Sequence, residues 1–192
     1  MKEKSSYNFG IFSIFTAIML NKANIFLRAL EPSDVEFLYQ LENDPQFWHL
    51  SHTTVPFSRF DLEQYILLVD KDIFKAKQAR FIIELEASHQ KMNIGAIDLF
   101  DVESKHQRAG IGIMIIEEKR GFGYAGTALD ILIDYSFNHL ELHQLFCNVE
   151  KDNLKSLKLF KEKGFIVSGE KKEWNKRNNK WVDELLLQLI NK

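Results

Sequence analysis

The sequence predicts an α/β (α+β) fold: one mixed, mostly antiparallel sheet with helices on its faces. Three observations predict it. Three apolar segments, 80–85, 94–102 and 108–116, follow one another across polar turns and read as an antiparallel meander. The pattern then alternates helix, strand and helix, as in a βαβ unit. The composition is that of a packed globular chain, 45% hydrophobic and 27% charged over 192 residues, with 16 Phe for a core.

Residues 25–30 read as the first strand. Pro32 and Ser33 open a helix, with Ser33 and Glu36 spaced as a capping box and Val35, Leu38 and Leu41 following at helical spacing. Asn43, Asp44 and Pro45 end it. A loop with Phe47, Trp48, His49 and His52 runs to Pro56. A second helix is predicted over 58–75, with Leu62, Tyr65, Ile66 and Val69 on one face. The meander comes next, then a helix over 124–139, a strand over 144–149 and a helix over 153–163 closed by Gly164. Strands 165–169 and 182–190 finish the chain across a basic turn at 175–179. The last of these leaves an exposed sheet edge and makes a homodimer plausible.

Residues 1–22 are read as an N-terminal extension, disordered or a start assigned too early, and 23–192 as the folded domain. Lys2 and Lys4 precede the apolar run 9–20, but that run is short of the roughly 20 residues a membrane span needs, so no membrane partner is expected. The net charge of −2 gives no reason to expect a nucleic-acid partner. A single cysteine, Cys147, excludes an intrachain disulfide and a multi-cysteine metal site. It fits a cytoplasmic protein. His49/His52 and His139/His143 lack a third ligand nearby, so no metal site is expected. Cys147 reads as core.

The most informative segment is the turn from Glu117 to Gly126, which links an apolar strand to an apolar helix. Glycines there let the backbone approach a ligand and point several N–H groups one way. The free amides and dipole of the helix start favour an anion such as pyrophosphate. Lys119 and Arg120 add local attraction. A ligand-free connection is one reading. A dinucleotide fingerprint is another, since Gly121, Gly123 and Gly126 spell G-x-G-x-x-G, although four charged residues separate the strand from the first glycine.

The third reading is a resemblance. Arg120, Gly123 and Ala125 match, in order, the acetyl-CoA loop of the GCN5-related N-acetyltransferases. Asn153 to Ser156, followed by Leu159 to Phe165 with its Gly-Phe junction, is similar to that family's second cofactor motif. Leu27 to Asp34 resembles its opening strand and helix start. The resemblance covers about 25–190. Within the family it points to the branch of spermidine and ribosomal-protein N-terminal acetyltransferases.

The resemblance implies a sheet whose central parallel strands splay apart, about four flanking helices, and acetyl-CoA as co-substrate. Met114, Ile115 and Ile116 would offer main-chain groups to the pantetheine arm. Arg120, Gly121, Phe122, Gly123, Tyr124, Ala125 and Gly126 would hold the pyrophosphate, and Asn153 and Ser156 would line the thioester side. The acceptor would be a small-molecule amine, polyamine-like, or a protein N-terminus, attacking the thioester directly. A Tyr often found in the family as general acid is replaced here by Phe160, which has no proton to donate. Ser156 or water is the substitute, and a non-catalytic acyl-CoA-binding module is the alternative. Glu84 and Asp98 are the candidate bases, Asp98 the better one because Ile97 and Leu99 should face the opposite side. Glu31, Asp34, Glu36, Glu42 and Asp44 form an acidic group fit for a polyamine, or simply a solvated face.

Overall fold

The computed structural model describes residues 20–51 and 54–192. The chain begins with β1 (Asn21–Lys22) and β2 (Ile25–Ala29), then a 3-10 turn (Pro32–Asp34) leading into α1 (Val35–Glu42). The domain thus starts before residue 23: β1 pairs with β2, and Leu20 accepts the Leu27 N–H at 2.7 Å. The rest of the expected extension lies outside the described residues. The capping box expected of Ser33 and Glu36 does not form. Asp34 takes the Glu31 N–H instead, at 2.8 Å, while its carboxylate pairs with Arg28 at 2.6 and 2.7 Å.

The expected loop after α1 contains a helix, α2 (Pro45–Ser51). Pro45 suits the first helical position, where its missing N–H costs nothing, and Asp44 accepts from Gln46 N at 2.9 Å. Next is α3 (Arg59–Leu68), capped reciprocally by Ser58 and Asp61. The helix expected over 58–75 breaks at Val69. Asp72 then starts a separate turn of helix, α4 (Ile73–Ala76), by accepting from Phe74 N at 2.9 Å.

The meander is β3 (Ala79–Ala87), β4 (Gln90–Glu103) and β5 (Arg108–Ile115). A 3-10 turn, Glu117–Lys119, precedes α5 (Tyr124–Asp134), which widens into a π turn over Tyr135–His139. The chain ends with β6 (Gln144–Glu150), α6 (Leu154–Glu162), β7 (Ile166–Arg177) and β8 (Lys180–Ile190). Asn178 and Asn179, both at positive φ, make the tight turn between the last two strands. Six α-helices are described where about four were expected, and the additions, α2 and α4, are short.

The sheet order is β1-β2-β3-β4-β5-β6-β8-β7. β8 lies inside the sheet, so the edge expected at 182–190 is β7 instead. The side chains of Ile83, Ile97, Leu99, Ile111, Leu145 and Cys147 face α5, whose Ala128, Leu129, Ile131 and Leu132 complete the main core. On the other face Ile82 packs with Leu38 of α1 and Leu62 of α3, and Ala96 with Leu41 and Phe47. No helix among the described residues is long and apolar enough to cross a membrane.

Candidate active site

β5 and β6, neighbours in the sheet, run parallel but pair only from Arg108–Gln144 to Gly110–Phe146. Beyond that point they separate. The parting begins where the Phe100 ring covers Gly110, so closely that a Cβ there would lie 2.2 Å from the ring, and meets Phe146 edge-on at 5.7 Å. A cleft of about 550 Å³ fills the gap and reaches both faces of the sheet. Residues from the α5 face (Ile111, Cys147, Phe160) and from the opposite face (Arg80, Asp98, Tyr65) line it together.

The strand geometry decides which main-chain groups point into the gap. Ile116 N donates to Ile94 O at 2.9 Å, which makes that pair hydrogen-bonded across β4 and β5. Main-chain direction alternates along a strand, so Met114 and Gly112 also turn toward β4, while Ile111, Ile113 and Ile115 turn toward the gap. On β6, Lys151 N bonds Asp183 O at 2.9 Å, so the groups of Asn148 and Glu150 face the gap from the other side. This corrects one expectation: the Ile116 amide is spent on Ile94, and Ile113 joins Ile115 as the source of free amides. Met114 lines the cleft with its side chain.

The glycine turn lies at the open end of the gap. Gly121 and Gly123 have φ of +84° and +83°, and a Cβ on either would meet nothing within 4 Å. Their need is therefore for left-handed backbone in open space, rather than for packing room. The first α5 amide to find a carbonyl is Thr127 N, bonded to Gly123 O at 3.1 Å. The amides of residues 121–126 have no acceptor among the described residues. Gly126 differs from the other two glycines. It faces Lys163 of the α6 end, whose Cε would lie 3.3 Å from a Cβ. Lys163 in turn pairs with Asp130 at 2.6 Å, tying α6 to α5. Arg120 braces the turn: Nε donates to Ile115 O at 2.9 Å and the guanidinium sits 4.9 Å from the Phe47 ring centre.

Asn153 and Ser156 line the cleft from α6. The Asn153 side-chain oxygen caps the helix by accepting from Ser156 N at 3.1 Å. Phe160, buried, meets Phe165 edge-on at 5.2 Å. Burial pushes the Cys147 thiol up to about 12, so it stays neutral.

The opposite face is built from charged side chains. Arg80 of β3 donates Nε and Nη2 to the two oxygens of Asp98, at 2.6 and 3.1 Å, and Nη1 to Glu42 of α1 at 2.5 Å. Burial lowers the Arg80 pKa, and the Asp98 and Glu42 carboxylates more than offset it, so the guanidinium stays charged. Tyr65 of α3 stands beside this trio; burial raises its phenol pKa and keeps it a neutral donor. Asp101, Glu150 and Glu184 complete the acidic lining. Glu150 is held by Arg177 at 2.6 Å and Glu184 by Lys171 at 2.8 Å, whereas Asp101 is exposed and has no partner among the described residues.

Of the two carboxylates singled out from sequence, only Asp98 reaches the cleft. Glu84 pairs with Arg28 at 2.6 Å and Lys91 at 3.5 Å near the other end of β3, away from the gap. The acidic group around α1 disperses in the same way: Asp34 goes to Arg28, Glu36 to Arg59 and Glu42 to Arg80. Sequence reasoning missed Arg80, Tyr65, Asp101, Glu150 and Glu184. The arrangement defines a class of site: free amides suited to an anion on one side, and carboxylates suited to a cation on the other.

A family model for an acetyltransferase (GNAT) domain matches residues 24–166. Spermidine N(1)-acetyltransferase of Vibrio cholerae serotype O1 is 34% identical over 147 residues, 74% of this chain and 79% of that protein. The Escherichia coli K12 enzyme of the same name is 31% identical over 148 residues, 75% and 74% of the two chains. The crystal structure of the Vibrio cholerae spermidine N-acetyltransferase in complex with CoA and spermine superposes with a TM-score of 0.78 at 30% identity, covering 88% of this chain and 96% of that one. The chain belongs to the GNAT acetyltransferases. It is an acyltransferase that uses acetyl-CoA and acetylates an amine.

Proposed function

We propose that the acceptor is a polyamine, with spermidine or spermine as the type. The observation that carries this reading is the cleft where β5 and β6 part, whose charged lining is mostly carboxylate, with the free amides of the glycine turn following the end of β5. Of its charged lining residues, four are carboxylates (Asp98, Asp101, Glu150, Glu184) and one is a cation, Arg80; Arg177 and Lys171 balance Glu150 and Glu184 from outside the lining, so the surplus charge is that of Asp101. Such a surplus attracts an oligocation and concentrates it at the mouth. The names of the two relatives support the same acceptor class. A cytoplasmic location goes with this reading, since acetyl-CoA and polyamines are both solutes of that compartment.

Acetyl-CoA supplies the acetyl group already activated as a thioester. Amides 121–126, with Arg120 as brace, receive the pyrophosphate. Ile113 and Ile115 amides receive the arm and the acetyl oxygen, where charge develops during attack. Asn153 lines the thioester side. Holding both reactants in line supplies much of the acceleration. Asp98 faces the acceptor ammonium as its charge partner. Arg80 already occupies both of the Asp98 oxygens, so the amine proton leaves through water. The Ser156 hydroxyl relays a proton from water to the departing sulfur, taking one from water as it gives its own, in place of the donor Phe160 lacks; a sulfur leaving group needs little help because a thiol pKa is only ~8.5.

Release of free thiol from acetyl-CoA tests this directly, with spermidine, spermine, an aminoglycoside and peptides with free N-termini as acceptors. Thiol release with the two polyamines and none with the peptides is the expected result. The reverse order would assign the cleft to a protein N-terminus.

A further inference from the structure

The turn that receives the pyrophosphate carries an unexplained pair of aromatics. Phe122 lies between the two left-handed glycines and is 67% exposed, more than any other Phe or Trp among the described residues. Its ring stacks on Tyr124, centres 5.7 Å apart and planes 20° from parallel. Tyr124 is the first residue of α5 and is itself half-buried against the main core. One face of the Phe122 ring is thus supported from within and the other is open to water.

A phenyl ring in that setting adds nothing to the core and exposes apolar surface beside a turn whose backbone serves an anion. It also gives the turn no positive charge. Its assets are a flat π face, held at a fixed angle by Tyr124, and its place among the free amides. A flat apolar face next to a diphosphate site suits a base attached to that diphosphate through one sugar. We propose that Phe122, backed by Tyr124, is the platform on which the adenine ring of acetyl-CoA stacks. This rests on the acetyl-CoA reading of the turn and adds the part of the ligand that no main-chain group in the gap addresses. The turn then divides its labour: glycine amides take the phosphates, and the side chain between them takes the base.

Titration calorimetry of the full chain with CoA and with 4′-phosphopantetheine, which keeps the arm and one phosphate but lacks the 3′-phosphoadenosine and the second phosphate, tells whether the ring acts on the nucleotide end. Phe122→Ala should raise the Kd for CoA about tenfold, the size of one lost base–aromatic stack, and leave that for 4′-phosphopantetheine within about twofold. Phe122→Trp should restore CoA affinity, and its added indole fluorescence should be quenched by CoA but not by the shorter ligand. Equal loss for both ligands, or loss for neither, would overturn the platform while leaving the acetyl-CoA site in place. No heat with CoA from the unaltered protein would overturn the site and the platform together.

Discussion

The two mouths of the central gap are built from different materials. At the glycine turn the working groups are main-chain amides from consecutive residues, 121–126, supplemented by alternate residues of one strand. At the acceptor mouth they are side chains from α1, α3, β3, β4, β6 and β8, held by ion pairs: Arg80 with Asp98 and Glu42, Arg177 with Glu150, Lys171 with Glu184. An amide N–H needs no counter-ion and can donate to an anion whatever the acceptor amine. A carboxylate must be desolvated and balanced, but it can be moved or exchanged residue by residue. On the proposed function, the difference separates the two substrates: the acetyl donor is met by backbone and the acceptor amine by side chains.

The largest expected effect breaks the side-chain mouth. Arg80→Leu strips the partner from Glu42, whose side chain is only 5% exposed, and from Asp98. Leaving buried carboxylates unpaired costs about 3–5 kcal/mol. Denaturant titration should show that loss, and adding Glu42→Gln should recover part of it. The Kd for acetyl-CoA in the folded protein should hold. An Arg80→Leu protein as stable as its parent would mean that the trio is solvated.

The same contrast explains what was legible in the sequence. Strand and helix positions from 80 onward follow from short-range periodicity, except that β7, expected over 165–169, runs on to Arg177 through residues read as a basic turn. The turn was legible because its glycines are consecutive with a strand and a helix, and backbone chemistry leaves a local spacing. The resemblance supplied the separation of β5 and β6; nothing in the periodicity of 108–116 or 144–149 shows that pairing stops at Gly110. The acceptor mouth was nearly invisible. Arg80, Asp98 and Glu42 come together only when α1 lands on β3 and β4, and nothing in the chain pairs Glu42 with Arg80 rather than with Arg59. Asp101 is the clearest case. Three residues from Asp98, it belongs to the opposite face of a regular strand. The register of β4 against β5 slips by one between Phe100 and Glu103, and Asp101 takes a positive φ of 47°. That bulge re-aims the side chain into the cleft, and no residue type in Phe100-Asp101-Val102-Glu103 signals it.

A smaller loss of stability, with a sharp loss of binding, should come from the main-chain mouth. Gly123→Val forces a β-branched residue to φ +83°, at a backbone cost of about 1–2 kcal/mol, although no neighbour obstructs it. The turn relaxes by rotating its amides, so calorimetry should show the acetyl-CoA Kd rising far more than the denaturation midpoint falls. The KM for spermidine at saturating acetyl-CoA should hold. A Gly123→Val variant that binds acetyl-CoA normally would move the pyrophosphate away from this turn.

The smallest effect tests whether the acceptor mouth acts by field or by contact. Asp101 is the one cleft carboxylate among those named that no cation balances, and it is exposed, so Asp101→Asn removes surplus charge without leaving a buried partner stranded. An exposed charge pair contributes about 0.2–1 kcal/mol, so the KM for spermidine should rise by no more than about fivefold. The rise should shrink as ionic strength approaches 1 M, where the screening length falls to about 3 Å. The KM for acetyl-CoA should not move, because the amides across the gap do not depend on this charge. A spermidine KM indifferent to Asp101 at low salt would assign recognition to the ion-paired carboxylates by contact. An increase that persists at high salt would show Asp101 touching the polyamine directly, and the bulge in β4 would then be a recognition device rather than a source of field.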